Sequence, residues 1–220
     1  MRRAVELIPI CVFAKPPVPG RVKTRLSAAL GDEWAAELAA AMLHDVWSVV
    51  TSAPRAIPVL AAAESGGFGI DVPDNRVWLQ CGADLGSRIE SILQRGLEIA
   101  PAAIALGADM PLLTRHELAD AMEQVESGNA VLGASDDGGF YLLGLRSCPA
   151  GLLAGIPWSC QYTCAATEAR LSSCGMKVAR IRSSFDIDTP ADLHRLRRDL
   201  DKLPPEVAPR TRKLLDALEW

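Results

Sequence analysis

Long apolar runs are missing from this 220-residue sequence. No stretch approaches the roughly 18 consecutive apolar residues of a membrane span. The apolar segment at residues 5–14 is interrupted by Glu6 and Pro9, is followed by Lys15, and lacks the small-residue cleavage site of a signal peptide. These absences predict a cytoplasmic protein with no membrane span.

An excess of positive charge is also missing. Lys and Arg total 23 against 27 Asp and Glu, which gives a net charge of -4. A protein with this balance has no overall field that attracts nucleic acid or an anionic membrane. We therefore expect no nucleic-acid partner, and any anion must bind to a local group of cations.

Several binding motifs are absent as well. The sequence contains neither GxxxxGK[ST] nor GxGxxG, which argues against ATP hydrolysis and NAD binding. The cysteine cluster at residues 160–174 lacks paired CxxC spacing and a nearby His, so we expect reduced thiols and no structural zinc site. The six cysteines are Cys11, Cys81, Cys148, Cys160, Cys164 and Cys174.

Short apolar runs rich in β-branched residues alternate with longer segments of helical period. The predicted strands cover residues 7–14, 57–63, 77–80, 102–107, 130–134, 140–145 and 177–181. Helices are predicted between them, at residues 32–50, 86–99, 115–126, 163–174 and 190–200. This alternation predicts one α/β domain over residues 1–203 with a mostly parallel central sheet, followed by a peripheral C-terminal helix over residues 204–220.

A stiff, basic segment follows the first predicted strand. Residues 15–26, KPPVPGRVKTRL, contain three prolines and four cations. The carboxyl end of a strand in an open α/β sheet is a common place for phosphate to bind. Exposed cations on turns often serve solubility alone, but four of them beside a rigid strand end favour an anion site.

An acid follows the predicted strand at residues 102–107. A carboxylate at Asp109 could hold Mg²⁺ or Mn²⁺ through one or two oxygens, while phosphate oxygens and water fill the remaining positions. Asp is also common at strand ends as a turn former or helix cap. Taken alone, Asp109 leaves both interpretations open.

A second acidic segment lies near the C-terminal end of the domain. Asp186 and Asp188 alternate along a short extended stretch and therefore share a face. Asp188 could supply a second metal ligand. It could equally cap the helix that starts at Pro190, as could Thr189.

With these segments together, the chain resembles the GT-A-like nucleotide-diphospho-sugar transferases. It is most similar to the small bacterial selenodomain-associated or arsenosugar-biosynthesis glycosyltransferases. The resemblance covers residues 8–195 and rests on motifs in the family's order: FAK (13–15), PGRVKTRL (19–26), QCGADLGSR (80–88), GADMP (107–111), DGGFYLLGL (137–145), PWS (157–159) and DIDTP (186–190). It implies a single Rossmann-like GT-A domain with helices on both faces of the sheet.

The resemblance also implies which residues form the site. Asp109 and Asp188 would hold Mg²⁺ or Mn²⁺, and Asp109 and Lys23 would act in catalysis. The acceptor side would include Gly138, Gly139, Trp158 and Asp186. Nucleotide and phosphate would be bound by Phe13, Ala14, Lys15, Gly20, Arg21, Lys23, Thr24, Arg25, Gly82, Gly86 and Arg88.

Two residues depart from the family's pattern. Gly107 stands at the first acid of a DXD motif, as in the cytidylyl- and guanylyltransferases that share this fold. Cys160 stands where the family tends to carry threonine, which affects the acceptor side and leaves the nucleotide side unchanged.

The implied reaction moves a sugar from a nucleotide-diphosphate donor to a small-molecule acceptor. Asp137 is the expected base for the acceptor hydroxyl, although Asp-Gly is equally a hairpin-turn signal. A guanylyl- or cytidylyltransferase that joins a nucleoside triphosphate to a phosphorylated small molecule is the alternative, because the basic segment ends as in the phospholactate guanylyltransferases.

A non-catalytic nucleotide sensor with the same fold is a third hypothesis. The joint presence of Lys23, Asp109 and Asp188 argues against it, since a protein that has lost the reaction has no need to keep all three. No motif specifies the base, the sugar, the acceptor or the oligomeric state.

Overall fold

The computed structural model describes residues 6–218, in which strands and helices alternate along the chain. The strands are β1 (Ile8–Ala14), β2 (Ala56–Ala62), β3 (Val77–Leu79), β4 (Ala103–Gly107), β5 (Ala130–Ser135), β6 (Phe140–Leu145) and β7 (Val178–Ser184). The helices are α1 (Thr24–Leu30), α2 (Asp32–Ser52), α3 (Leu85–Ile99), α4 (Arg115–Glu126), α5 (Thr163–Ser173), α6 (Pro190–Leu200) and α7 (Pro209–Asp216). Residues 1–5 of the predicted domain and residues 219–220 of the predicted C-terminal helix lie outside the described residues.

The seven strands form one sheet in the order β3-β2-β1-β4-β6-β5-β7. Strand β6 is antiparallel to both of its neighbours, and the other pairings are parallel. The prediction of an α/β fold with a mostly parallel central sheet is therefore confirmed.

Strand β4 shows why helices cover both faces of the sheet. Successive side chains of a strand point to opposite faces. Ile104 and Leu106 pack into a cluster with residues of α2 and α4. Ala103 and Ala105 pack into a second cluster with residues of α3 and α5. A strand buried on both sides reads as a continuous apolar run, which is how the sequence located it.

The order of the strands indicates where a ligand would bind. From β1 the chain crosses to β2 on one side, and it later returns to β4 on the other side. The pairing of Phe13 with Gly107 sets the carboxyl ends of β1 and β4 side by side. In open α/β sheets, the crevice at such a reversal of strand order is the usual ligand site.

Side-chain caps start helices α4 and α6. Thr114 caps α4 through a capping box with Glu117, and Thr189 caps α6 through a capping box with Asp192. Between residues 6 and 218, no helix combines the length and apolarity that crossing a membrane requires.

The C-terminal helix α7 is fixed to α2 by a buried acid. The Asp45 side chain is only 5% exposed. Its two oxygens accept hydrogen bonds from the backbone N–H groups of Arg210 and Thr211, at 3.1 and 2.8 Å. These N–H groups belong to the first turn of α7 and have no hydrogen-bond acceptor within their own helix.

We predict that Asp45→Ala lowers the free energy of unfolding by about 1–3 kcal/mol, because two N–H donors lose their acceptor. Urea denaturation followed by circular dichroism measures the change. Asp45→Asn keeps one acceptor oxygen and should fall between the alanine variant and the wild type. An unchanged urea midpoint for Asp45→Ala would contradict this role.

Candidate functional site

A cavity of about 500 Å³ opens at the carboxyl ends of β1 and β4. Many of the residues predicted to bind nucleotide line it, namely Phe13, Ala14, Lys15, Arg21, Lys23, Thr24 and Arg88, together with Asp109 and Asp188. The volume lies within the range typical of small-molecule sites. The structure therefore brings the basic segment and the two acids together where the strand order reverses.

Lys23 joins the two acids. Its Nζ lies 2.7 Å from Oδ2 of Asp109 and 3.2 Å from Oδ1 of Asp188. The Lys23 side chain is 9% exposed, whereas the side chains of Asp109 and Asp188 are 40% and 44% exposed. We call this arrangement the lysine bridge. Its ammonium is enclosed, and its carboxylates still face solvent.

The charges of the lysine bridge stabilise one another. Burial lowers the pKa of the Lys23 amine, but the two carboxylates outweigh this effect and hold the pKa above its ordinary value. Burial raises the pKa of Asp109, and the ammonium beside it brings that pKa below its ordinary value. Lys23 and Asp109 are therefore both charged at neutral pH.

The backbone of Lys23 is strained. It has φ 46 and ψ 44, the left-handed conformation, which residues other than glycine adopt infrequently. This conformation lies at the start of α1, directly after the proline-rich segment. Strain of this kind persists only where surrounding contacts enforce it, and it concentrates at functional sites.

Neither acid of the lysine bridge serves as a helix cap. Thr114 caps α4 and Thr189 caps α6. Asp188 contributes only its backbone N–H to the second cap, which it donates to Asp192 Oδ2 at 3.1 Å. The capping alternative is therefore excluded for both acids. Asp109 does lie in the turn that follows β4, as the turn-former interpretation expected, and both acids line the cavity.

A hydrophobic cluster holds the three segments of the bridge in place. Leu26 of α1, Leu112 after β4 and Ile187 before α6 all belong to it, and their exposed fractions are 0%, 8% and 0%. Each lies within three residues of a member of the bridge. The cluster thus fixes the positions from which the charged side chains reach one another.

The other cations of the basic segment are more exposed. Arg21 Nη2 forms an ion pair with Glu64 at 2.9 Å, and its side chain is 61% exposed. Arg25 is 76% exposed and lies 3.8 Å from Asp188 Oδ2. Both remain accessible to an anion entering from solvent, but Arg25 and Gly20 are not among the cavity-lining residues.

The glycines of the QCGADLGSR motif have packing roles. A Cβ at Gly82, whose φ is +146, would lie 2.4 Å from Ser87 Oγ. The Gly82 carbonyl accepts a hydrogen bond from Arg88 Nε at 3.2 Å. A Cβ at Gly86 would lie 2.8 Å from Trp158. Neither glycine lines the cavity, and we conclude that they position Arg88 and Trp158.

Asp137 lies in the β5–β6 hairpin turn. Its Oδ1 accepts hydrogen bonds from the Ser135 hydroxyl and from the Gly139 N–H. A Cβ at Gly138 would lie 2.2 Å from the carbonyl oxygen of Gln161. The turn therefore packs tightly against the loop before α5, and the predicted acceptor-side residues Gly138 and Gly139 shape this contact.

The charges of Asp109, Asp137 and Asp188 all act on the carboxyl group of Asp186. Burial, followed by the charges of Asp109 and Asp137, raises its pKa to about 7. Lys23 acts in the opposite direction, but more weakly. The carboxyl ends of β4, β5 and β7 thus collect more negative charge than Lys23 neutralises.

The donor set fits a metal that arrives with a nucleotide. Within residues 6–218, no group of three or more His, Cys, Asp or Glu side chains could hold a metal ion. Mg²⁺ and Mn²⁺ accept one or two protein carboxylates when phosphate oxygens and water supply the rest. Asp109 and Asp188 provide that number, and both are partly exposed to the cavity.

Comparison with protein families and curated proteins gives one match. A family model described as an uncharacterized protein conserved in bacteria (DUF2064) matches residues 62–160, which run from the end of β2 to the loop before α5. No curated protein matches the chain.

Solved structures match nearly the whole chain. A protein of Desulfovibrio desulfuricans, provisionally named a nucleotide-diphospho-sugar transferase, is 24% identical with a TM-score of 0.83, over 95% of this chain and 96% of that one. A 4-diphosphocytidyl-2C-methyl-D-erythritol synthase from Anaerococcus prevotii is 8% identical with a TM-score of 0.55, over 89% and 96%. A CMP:2-keto-3-deoxy-manno-octonic acid synthetase complexed with CTP is 12% identical with a TM-score of 0.52, over 89% and 99%.

The chain has the fold of the nucleotide-diphospho-sugar transferases. This confirms the broad resemblance inferred from the ordered motifs. The narrower resemblance to the selenodomain-associated and arsenosugar-biosynthesis glycosyltransferases stays a prediction.

Some lining residues were missed by the sequence reasoning. Gln80 directly follows β3, so the rule that ligands bind at strand ends could have found it. Met42 lies on the apolar stripe of α2 and had no signal separating it from an ordinary core residue. Glu64, which does not line the cavity but pairs with Arg21, follows β2 in a glycine-rich loop and had no motif around it.

We predict that Asp186 makes stability depend on pH. The native protein keeps this proton up to about pH 7, whereas the unfolded chain releases it near 3.8. The native state therefore binds more protons in this interval, and its contribution to the unfolding free energy falls as pH rises.

Asp186→Asn should remove this decline, so the stability of the variant relative to wild type increases from pH 5 to pH 8. Urea denaturation in buffer with a metal chelator measures the difference at each pH. The exposed Asp201, changed to Asn, is the control. A difference for Asp186→Asn that does not vary with pH would contradict the assignment.

Proposed function

We propose that this protein is a transferase that binds a nucleotide diphosphate group in the cavity and transfers a sugar from it to a small-molecule acceptor. The observation that carries the proposal is the lysine bridge, which unites the basic segment after β1 with acids after β4 and β7. The bridge lines a cavity at the ligand-binding crevice of an open α/β sheet.

The cations around the cavity suit a diphosphate. Lys15, Arg21 and Lys23 line it with the Thr24 hydroxyl. Charged donors form hydrogen bonds to phosphate that are shorter and stronger than neutral ones. Because the chain as a whole carries a net charge of -4, this local group is what draws the anion.

The comparisons support a nucleotide ligand. One structure of the same fold is a complex with CTP, and another bears the name of a nucleotide-diphospho-sugar transferase. These likenesses establish the fold, and the cavity supplies the independent chemical argument. Together they favour a nucleotide over other phosphorylated compounds.

Mg²⁺ or Mn²⁺ is the proposed cofactor, held by Asp109 and Asp188. When bound, it would neutralise charge on the leaving diphosphate. Lys23 and Arg21 hold positive charge beside the same phosphates, where electrostatic stabilisation of the departing group acts. A Cβ at position 107 would lie 3.2 Å from Asp109 Oδ1, so a side chain there would crowd the Asp109 carboxylate.

The acceptor hydroxyl needs a base, for which we propose Asp137. Its Oδ1 is occupied by Ser135 and Gly139, so Oδ2 is the oxygen available to an acceptor. Asp186 is the second candidate, because a pKa of about 7 suits a base that works near neutral pH. Trp158, Gly138 and Gly139 would form the walls around the acceptor.

Nucleotidyl transfer is the alternative function. The observation that favours it is the single acid, Asp109, at the end of β4, combined with the likeness in fold to a synthetase complexed with CTP. In that reaction a phosphorylated acceptor attacks a nucleoside triphosphate and pyrophosphate leaves. The same cations and carboxylates would serve it.

We predict that Asp109→Asn abolishes metal-dependent nucleotide binding, because it removes the charge while nearly preserving the shape. Calorimetry with UDP, GDP and CDP in the presence of Mn²⁺ measures the affinity. Asp120→Asn, an exposed acid on α4 that does not line the cavity, should bind as the wild type does. Wild-type affinity in Asp109→Asn would remove the metal assignment.

The two reactions release different products. We expect incubation with nucleotide sugars and a small-molecule acceptor pool to release a nucleoside diphosphate that depends on the protein and on Mn²⁺. A parallel incubation with nucleoside triphosphates and phosphorylated acceptors should release no pyrophosphate. Pyrophosphate release would establish the alternative. Nucleotide binding without either product would leave the sensor hypothesis.

A further inference from the structure

The ammonium of Lys23 lies between Asp109 and Asp188, the two acids that would hold a divalent cation, and contacts one oxygen of each. Its Nζ is within hydrogen-bonding distance of one oxygen of each acid, at 2.7 and 3.2 Å. A metal ion that used these two oxygens would need distances of about 2.0–2.1 Å for Mg²⁺. Both cations cannot occupy the space between the same pair of oxygens.

We propose that Lys23 fills the metal position in the nucleotide-free protein and leaves it only when a nucleotide arrives. Metal alone then binds weakly, and metal and nucleotide bind together. This inference rests on the proposed function, because it assigns the order in which the same site is filled. It adds a second role for Lys23, as the residue that excludes metal from the empty site.

The burial of the three side chains supports this exchange. The Lys23 side chain is 9% exposed, and the side chains of Asp109 and Asp188 are 40% and 44% exposed. A metal ion from solvent therefore meets the outer edges of two carboxylates whose inner edges are already neutralised. A phosphate can attract the ammonium through its third N–H donor, which frees those inner oxygens.

The net charge of the lysine bridge also supports an exchange of the ammonium for a metal ion. Two carboxylates and one ammonium leave one net negative charge, which is a weak site for a divalent ion in water. Movement of the ammonium onto a phosphate leaves two negative charges facing the metal. The phosphate oxygens then complete the metal's coordination, as they do when Mg²⁺ is bound with a nucleotide.

The strained backbone lowers the cost of moving Lys23. Its left-handed conformation stores free energy that a change of conformation releases. Leu26, which is fully buried one turn later in α1, keeps the helix anchored while Lys23, the residue before the helix, moves. The displacement therefore needs only the first residues of α1 and the preceding loop.

The experiment measures Mn²⁺ binding to the nucleotide-free protein by electron paramagnetic resonance. Lys23→Gly removes the ammonium and suits the left-handed backbone, because glycine adopts it without strain. We expect Lys23→Gly to bind Mn²⁺ at least about tenfold more tightly than the wild type, since a competing cation is gone. Lys23→Asn, which also tolerates this conformation, should show the same gain.

A matched variant separates displacement from a simple loss of charge. Arg25→Met removes one positive charge near Asp188 without breaking the bridge, because Arg25 is 3.8 Å away and 76% exposed. We expect its Mn²⁺ affinity to rise by no more than about twofold, since exposed charges are strongly screened. In the double variant Lys23→Gly with Asp109→Asn, the gain should disappear.

The outcomes distinguish this inference from the proposed function. Equal Mn²⁺ affinity in the wild type and in folded Lys23→Gly and Lys23→Asn would overturn it, as would an equal gain in Arg25→Met. Binding of CDP, GDP or UDP with Mn²⁺ to the wild type would still support the proposed function in that case. No binding of any of the three to the wild type would instead remove the proposed function.

Discussion

Two like charges held close together set the main constraint on this structure. Asp109 and Asp188 come from segments far apart in the chain, and both reach the same oxygen-rich edge of the sheet. Like charges at short range raise each other's cost of ionisation unless a cation lies between them. Lys23 supplies that cation, and it does so from a left-handed backbone conformation.

The lysine bridge joins the charged residues of the site, but the hydrophobic cluster beneath it keeps them in position. Ion pairs between partly exposed groups contribute little to stability. Burial of apolar side chains contributes far more. Leu26, Leu112 and Ile187 lie in one cluster, so the three charged residues are positioned by neighbours that pack. The site can therefore exchange one charge contact for another without loss of the fold.

The sequence predicted the parts of the site that depend on strand ends. The carboxyl ends of parallel strands meet at one edge, so the segment after β1 and Asp109 after β4 had to be close. Asp188 was ambiguous because capping explained it equally well, and only the observed capping by Thr189 removed that alternative. The contacts of Lys23 and the pairing of Arg21 with Glu64 depend on side chains 43 to 165 positions apart, which local patterns do not encode.

The lining of the cavity also shows why the sequence did not specify the proposed acceptor site. This lining comes from residues 13–109 and Asp188, and includes neither Trp158 nor the β5–β6 hairpin. Trp158 packs edge-on against Phe140, with ring centroids 5.9 Å apart, and lies against Gly86 at the start of α3. The proposed nucleotide side and the proposed acceptor side thus meet at a glycine, because a Cβ there would clash with the tryptophan. Gly86 therefore has a packing role in its motif.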